Sequence, residues 1–202
     1  MHTPLLSVRG VVKRYPGVLA LDRVDLTLKA GEILGVVGEN GAGKSTLMKI
    51  LAGIERPDAG SIEMEGRSVE IVSTRVASRL GIALIHQELS LADNLSVGAN
   101  VFLGREPGRL GCIDHAAIRE RTSAALGRIG ANFPPDAPVA SLAIGQQQGV
   151  EIAKALAQDA KVLILDEPTS SLSLAESRHL VTVLRGLREK GVSIIYISHR
   201  LG

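Results

Sequence analysis

The feature that most constrains this chain is a glycine-rich stretch followed directly by a lysine and a serine. It reads Gly-Glu-Asn-Gly-Ala-Gly-Lys-Ser-Thr from Gly38 to Thr46, which matches the P-loop pattern of a glycine, four residues and then Gly-Lys-Ser/Thr. The glycines let successive backbone N–H groups turn toward phosphate oxygens, and the helix that follows adds its positive N-terminal end. The pattern therefore predicts a phosphate-binding loop between a strand and a helix.

The residues around this loop give it the context that the pattern requires. An apolar run at residues 32–37 predicts a buried strand before it, and residues 45–52 predict a helix after it. Lys44 is then placed to reach the β- and γ-phosphates of a nucleotide, and the Ser45 hydroxyl can ligate Mg²⁺. The alternative is an ordinary glycine turn. The predicted nucleotide-binding residues of the loop are Gly38, Glu39, Asn40, Gly41, Ala42, Gly43, Lys44, Ser45 and Thr46.

A second apolar run ends in two acidic residues. Residues 162–165 are wholly apolar and are followed by Asp166 and Glu167, as expected of a central parallel strand whose end reaches a ligand. Asp166 fits the Walker B role of holding Mg²⁺ directly or through water. Glu167 is then placed to polarise the water that attacks the γ-phosphate. Two carboxylates that simply end a strand at the surface are the alternative.

The rest of the chain alternates strand and helix patterns. Residues 5–15 and 18–28 predict two antiparallel strands around the Pro16-Gly17 turn, and residues 193–198 predict the last strand. Ser173 and Glu176 form a capping box before a helix that places Leu180, Leu184 and Leu187 on one face. This alternation around a glycine loop predicts an α/β fold. Residues 93–156 look mostly helical, with interruptions at Pro107-Gly108 and Pro134-Pro135, and predict an inserted helical sub-domain.

Composition excludes several other classes of protein. With 23 Lys plus Arg against 21 Asp plus Glu, the chain has a net charge of +2, which gives no reason to expect a nucleic-acid footprint. Its four Tyr and Phe residues among 202 are too few for a base-stacking platform. A single cysteine, Cys112, excludes an internal disulfide and a four-cysteine zinc site. The apolar runs are far shorter than the roughly 20 residues of a membrane span.

Three further positions mean little by themselves. His199 follows the last predicted strand and Gln87 follows the strand predicted at residues 81–86, where ligands of an open α/β sheet bind. A histidine at a strand end is more often solvated or structural than catalytic. The small-residue loop after Ser141 opens a helix whose bare N–H groups could bind an anion, or Ser141 is a plain N-cap.

Taken together, the order of these motifs resembles that of the ATP-binding-cassette (ABC) ATPases. It runs from the P-loop at Gly38 through Gln87, a Leu-x-x-Gly-Gln element from Leu142 to Gln146, and Asp166-Glu167 to His199. Stretches beginning at Gly81, Asn94, Val101 and Gly145 look like bacterial importers of monosaccharides of the ribose, xylose, arabinose and galactose kind. The resemblance covers essentially the whole chain.

The resemblance implies a P-loop NTPase fold of the ABC-ATPase type. Its mainly parallel core sheet would carry an N-terminal antiparallel β part and the helical insert. The implied core comprises residues 1–92 and 157–202, and the helical signature sub-domain comprises residues 93–156. The implied cofactors are ATP and Mg²⁺. Tyr15 would stack on adenine, Gln87 would reach the Mg²⁺ and the attacking water, and His199 would contact the γ-phosphate.

Other implied roles concern partners. The signature (Leu142, Ala143, Ile144, Gly145 and Gln146) would close on ATP held by a second cassette, and the D-loop would comprise Ser170, Ser171, Leu172 and Ser173. Gln87 and the segment from Leu89 to Gly104 (residues 89–104) would face a membrane permease, with a periplasmic sugar-binding protein as an indirect partner and no nucleic acid. The protein would then lie in the cytoplasm, peripheral on the inner face of the cell membrane.

The chain departs from the family pattern at several points. Position 143 is Ala143 where the family usually has serine, so a hydroxyl aimed at the partner's γ-phosphate is missing. Losing one hydrogen bond to a charged group costs about 1.5–3 kcal/mol, so we expect the site formed with the partner's P-loop to be weakened. Ser173 replaces a frequent aspartate, and Gly149 replaces a bulky apolar residue.

Length is the largest departure. Importers of this subfamily carry two cassettes in one polypeptide, whereas this chain stops three residues after His199. The resemblance therefore implies a first cassette cut off at its C-terminus, without its twin. Two other functions stay open: a soluble ABC ATPase related to nucleic acid or translation, and a non-catalytic nucleotide-binding fragment.

Overall fold

The computed structural model describes residues 3–39, 41–109, 111–169 and 172–198. The chain divides into two compact units. Among the described residues, the first unit holds 3–84, 161–167 and 188–198, and the second holds 85–160 and 168–187. This division is based on contacts between residues within each unit. The domain boundaries predicted from the sequence are defined differently and stay a prediction.

Ten strands and six α-helices are found in the described part of the chain. In order they are β1 (Leu6–Tyr15), β2 (Val18–Leu28), β3 (Ile33–Val37), α1 (Lys44–Leu51), β4 (Ala59–Met64), β5 (Arg67–Val69), α2 (Thr74–Arg79), β6 (Ile82–Ile85), α3 (Val97–Phe102), β7 (Gly108–Arg109), β8 (Cys112–Ile113), α4 (His115–Arg128), α5 (Ile144–Leu156), β9 (Val162–Asp166), α6 (Leu174–Glu189) and β10 (Ser193–Ser198). A 3₁₀ turn, Val139–Ser141, precedes α5.

An antiparallel sheet in the first unit has the strand order β2-β1-β4-β5. The predicted pairing of the first two strands around Pro16-Gly17 is confirmed, because Tyr15 pairs with Val18 across the turn. Gly17 lies at φ 77°, the left-handed conformation that a two-residue hairpin turn demands and that glycine adopts without penalty. The turn therefore fixes the pairing next to it, while the register shifts three times farther along the two strands.

The second sheet has the order β3-β10-β9-β6. Strand β10 pairs in parallel with both β3 and β9, and Val162, Leu163, Ile164 and Leu165 are all fully buried. The strands predicted at residues 162–165 and 193–198 are therefore confirmed, together with the α/β fold class. Because the strands are parallel, β3, β9 and β10 all end at the same edge of the sheet, which is the edge where ligands of such folds bind.

Helix α1 packs its apolar side into the core of the first unit. Leu47, Met48, Ile50 and Leu51 are buried in one cluster with residues of both sheets, among them Leu21, Ile62 and Ile164. Burial of each such side chain contributes about 1.5–3 kcal/mol. This packing holds the start of α1, and therefore the loop before it, against the carboxyl end of β3.

Helices dominate the second unit, as predicted for residues 93–156. The predicted face of α6 is confirmed, because Leu180, Leu184 and Leu187 are buried. The sequence patterns missed three elements, β7, β8 and α2. Pro107-Gly108 begins a short hairpin of β7 and β8, and α2 in the first unit is capped by Ser73, whose hydroxyl accepts from the N–H of Val76.

A buried asparagine organises the loop before α3. Asn100 is fully buried. Its Oδ1 accepts from the N–H of Ala92 at 2.7 Å, and its Nδ2 donates to the carbonyls of Ala92 and Ser96, each at 3.0 Å. Because three hydrogen bonds join this one buried amide to the backbone of Ala92 and Ser96, Asn100 fixes the shape of residues 92–96, inside the segment that the resemblance assigns to the permease.

None of the helices in the described ranges is both long enough and apolar enough to cross a membrane.

We expect Asn100→Ala to lower the free energy of unfolding by about 2–4 kcal/mol, because the half-buried backbone groups of Ala92 and Ser96 lose their partner and a cavity replaces the buried amide. Urea unfolding measures this change. Asn94→Ala, at an exposed position six residues earlier, is the matched control and should change stability by less than about 0.5 kcal/mol. Equal losses in the two variants would contradict the role given to Asn100.

Candidate nucleotide-binding site

The loop after β3 has a backbone shape that depends on glycine. Gly43 is the N-cap of α1 at φ 83°. A Cβ at this position would lie 2.4 Å from the carbonyl oxygen of Ala20 and 2.8 Å from Cδ2 of Leu21. Both the conformation and the close approach to β2 therefore exclude a side chain. Gly41, at φ 84°, needs glycine for its conformation alone, since no atom would lie within 4 Å of its Cβ.

Lys44 turns back over the loop that precedes it. Its Nζ donates to the carbonyl oxygen of Gly38 at 2.6 Å and to that of Glu39 at 2.8 Å. The ammonium group is thus held above the loop by the backbone, on the first residue of α1, where the helix dipole adds positive potential. An ammonium and a helix N-terminus at one place form the electrostatic setting that a phosphate group requires.

Backbone hydrogen bonds join the remaining loop residues to one another and to the first turn of α1. The N–H of Ala42 donates to the carbonyl of Glu39 at 3.2 Å, and the N–H of Leu47 donates to Gly43 at 3.0 Å as α1 begins. Ser45 is exposed and Thr46 half-buried in the first turn of α1. Asn40 lies outside the described residues.

Tyr15 lies at the end of β1, beside the first turn of α1. Its hydroxyl donates to Oε2 of Glu55 at 2.5 Å, and Nζ of Lys13 lies 5.6 Å from the ring centroid. The hydrogen bond to Glu55 raises the pKa of Tyr15, while one with Thr46 acts in the opposite direction. The ring is 37% exposed, so it presents aromatic surface near the loop.

Asp166 and Glu167 end β9 at the same edge of the sheet. Asp166 pairs with Ile197 of β10, whose next residue, Ser198, pairs with Val37 at the end of β3. The N–H of Glu167 donates to the carbonyl of Ile197 at 3.3 Å. Glu167 has φ 48°, a left-handed conformation that costs a residue with a Cβ about 1–2 kcal/mol. Such strain concentrates at functional positions.

The other predicted site residues belong to the second unit or lie outside the described ranges. The signature residues Leu142, Ala143, Ile144, Gly145 and Gln146 occupy the start of α5, with Ala143 as its N-cap. Gln87 is exposed, two residues after β6. Leu172 and Ser173 precede α6, and the predicted capping box is confirmed by the bonds between Ser173 and Glu176. His199, Ser170 and Ser171 lie outside the described residues.

Hard oxygen ligands are the chemistry that a Mg²⁺ site needs. Ser45 supplies a hydroxyl at the start of α1, and Asp166 supplies a carboxylate at the matching edge of the parallel sheet. This donor set fits Mg²⁺ bound together with phosphate oxygens. Across the described ranges, no cluster of three or more His, Cys, Asp or Glu side chains could hold a metal ion without such a ligand.

Two features of the site were not predicted from the sequence. Glu55 holds the hydroxyl of Tyr15 across 40 residues of chain, and the Ala20 carbonyl limits the space at Gly43 across 23 residues. No local pattern connects residues so far apart. For Gly43, only the presence of glycine in the P-loop pattern could have indicated that a side chain does not fit at this position.

Comparison with known proteins decides the family. The profile described as ABC transporter matches residues 21–170, which is more than half of the chain. The chain belongs to the ABC transporter family. Its P-loop, the acidic end of β9 and most of the helical unit lie within the match.

Relatives in this family are similar over nearly the whole chain. It is 53% identical over 197 residues to a ribose import ATP-binding protein of Chromobacterium violaceum, covering 97% of this chain and 39% of that protein. It is 49% identical to an arabinose import ATP-binding protein of Burkholderia ambifaria, covering 98% of this chain and 38% of that protein. The chain thus spans about two fifths of the length of these relatives.

Solved cassettes of the family share the fold. CbiO1 of Clostridium perfringens, part of the ABC transporter complex cbiONQ, superposes with a TM-score of 0.84 at 30% identity, covering 98% of this chain and 79% of that one. A nucleotide-free ATP-binding cassette from an ABC transporter superposes with a TM-score of 0.87 at 23% identity, covering 98% and 82% of the two chains. The ABC-ATPase fold predicted from the sequence is therefore confirmed.

We expect Gly43→Ala to weaken ATP binding by at least about tenfold more than Gly41→Ala does. Both substitutions place a side chain at positive φ, at about 1–2 kcal/mol each, but only at Gly43 does the Cβ collide with the Ala20 carbonyl. Calorimetric titration of the two variants with ATP measures the difference. Equal losses of affinity would show that the contact with β2 does not shape the loop.

Proposed function

We propose that this chain is the ATP-binding and ATP-hydrolysing part of an importer that moves a monosaccharide through a membrane permease. The observation that carries the proposal is the 49–53% identity, over nearly the whole chain, to proteins named as ribose and arabinose import ATP-binding proteins. The glycine-dependent loop with Lys44 folded over it supports ATP as the ligand.

Within this proposal, the loop from Gly38 to Thr46 binds the phosphates of ATP. Its backbone N–H groups and Lys44 supply positive charge where the β- and γ-phosphates lie. Tyr15 stacks on the adenine ring, next to the first turn of α1. Ser45, Asp166 and Gln87 are the residues we assign to hold Mg²⁺, which when bound neutralises charge on the phosphates.

Hydrolysis requires a base for the attacking water. We assign this role to Glu167, which follows the strand end at Asp166 and whose backbone is tied to β10. A carboxylate that accepts a proton from water in the transition state contributes about 10²–10⁴-fold to the rate. We assign His199 to the γ-phosphate and Gln87 to the attacking water.

The assembly supplies the remaining parts. A second cassette would be the partner on which the signature residues from Leu142 to Gln146 act, and a membrane permease would contact Gln87 and residues 89–104. A periplasmic sugar-binding protein would deliver the sugar. The cassette would therefore work on the cytoplasmic face of the membrane, as an ABC import protein must to draw on cytoplasmic ATP.

We expect Glu167→Gln to lower kcat for ATP hydrolysis by about 10²–10⁴-fold while the dissociation constant for ATP changes by less than about threefold, because the amide keeps the shape but cannot accept the proton. Steady-state hydrolysis and ATP titration of the full-length protein with its permease measure the two quantities. Glu120→Gln, on the exposed side of α4, is the matched control with the same change of charge.

The outcomes separate the functions left open by the sequence. Loss of turnover in Glu167→Gln alone supports an ATPase with Glu167 as its base. ATP binding without turnover in the wild-type assembly would instead indicate a non-catalytic nucleotide-binding protein. A salt-sensitive complex with nucleic acid would indicate a cassette unrelated to transport.

A further inference from the structure

In the first turn of α5, the backbone N–H of Gly145 donates to no side chain of α5 itself. The N-cap residue of a helix normally accepts from the N–H of the second or third helical residue through a side-chain oxygen. Here the N-cap is Ala143, which has no such oxygen. The Ala143 carbonyl oxygen accepts hydrogen bonds from the N–H groups of Gln146 and Gln147, each at 2.9 Å. The Oε1 atom of Gln146 accepts a hydrogen bond from the Ala143 N–H at 3.0 Å. The N–H of Gly145 is not among these bonds.

The Glu176 carboxylate, which belongs to α6, accepts a hydrogen bond from this N–H. Oε1 of Glu176, in the first turn of α6, accepts from the N–H of Gly145 at 3.2 Å. Its other oxygen, Oε2, accepts from the N–H of Ser173 at 2.9 Å and from the Ser173 hydroxyl at 2.7 Å. One side chain therefore caps the start of α5 and the start of α6 together.

The fit between Gly145 and Glu176 is close. A Cβ on Gly145 would lie 2.9 Å from Oε1 of Glu176 and 3.0 Å from its Cγ. The side chain of Glu176 thus packs directly on the backbone of Gly145, which has room for it because glycine has no side chain. Negative charge here also faces the positive ends of two helix dipoles. In agreement, the hydrogen bonds from Ser173 and Gly145 hold the pKa of Glu176 below its ordinary value.

We propose that Glu176 is a positioning residue for the signature: it replaces the cap that residue 143 lacks and fixes the first turn of α5 to Ser173, directly before α6. The proposed part in the reaction rests on the proposed function, in which the start of α5 acts on ATP held by a partner cassette. The capping itself rests on the bonds of Glu176 alone.

Amide hydrogen exchange of Gly145, measured by NMR on the full 202-residue chain, tests the capping directly. In Glu176→Ala we expect the Gly145 amide to exchange at least about tenfold faster, with the amide of Ile152 in the buried middle of α5 as the reference for global opening. In Glu176→Gln, which keeps an oxygen but loses the charge, we expect an increase of about two- to fivefold. Glu120→Gln should leave the rate unchanged.

Rescue by a serine separates capping from general destabilisation. Ala143→Ser restores a side-chain acceptor at the N-cap, so in the Glu176→Ala background it should return the Gly145 exchange rate to within about threefold of wild type. An unchanged rate in Glu176→Ala, or a rate that rises only as much as that of Ile152, would overturn the proposal. If Glu176→Ala does not fold, the same comparison is made with Glu176→Gln.

ATP hydrolysis by the full-length protein with its permease tests the part in the reaction. Glu176→Ala should lower kcat by about tenfold with KM for ATP within about twofold of wild type, since α5 does not bind the nucleotide of its own P-loop in the proposed mechanism. An unchanged kcat, or a rise in KM alone, would overturn the positioning role. If the wild-type assembly hydrolyses no ATP, the proposed function fails, while the exchange rates still decide whether Glu176 caps α5.

Discussion

The contact between Gly43 and the carbonyl oxygen of Ala20 is the constraint on which the nucleotide site depends. It brings the antiparallel sheet, through β2, against the loop that joins β3 to α1. A glycine at φ 83° then turns the chain directly into the helix, and Lys44, the first helical residue, reaches back to the loop carbonyls. The Lys44 ammonium therefore reaches its position because Gly43 has no side chain to collide with the Ala20 carbonyl.

The parallel sheet places the acidic residues at the edge that this loop occupies. Strand β10 lies between β3 and β9, and its register sets Asp166 of β9 beside Ile197, one residue before the partner of Val37. Buried apolar strands hold this edge in place, and the strained backbone of Glu167 comes directly after it. Lys44 and Asp166, 122 positions apart in sequence, are thus placed at one edge of the sheet by strand order and not by local structure.

Local patterns predicted much of this arrangement. The turn at Pro16-Gly17, the buried strand before Asp166 and the capping box at Ser173 each depend on residues within a few positions of one another, so the sequence was sufficient. The order of strands in the parallel sheet and the cap that Glu176 gives to Gly145 depend on contacts between distant segments. The Glu176 contact joins residues 31 positions apart. The N-cap that the sequence offered for this helix, Ser141, is wrong, because the N-cap is Ala143.

The proposed function depends on the loop from Gly38 to Thr46 binding the phosphates of ATP through its backbone. Chemical shifts of backbone amides, recorded by NMR while ATP and Mg²⁺ are added to the chain, test it most directly. We expect the largest changes at Gly41, Gly43, Lys44 and Ser45, saturating together with a single dissociation constant. Saturable binding that leaves these amides unmoved and shifts those of another segment would contradict it.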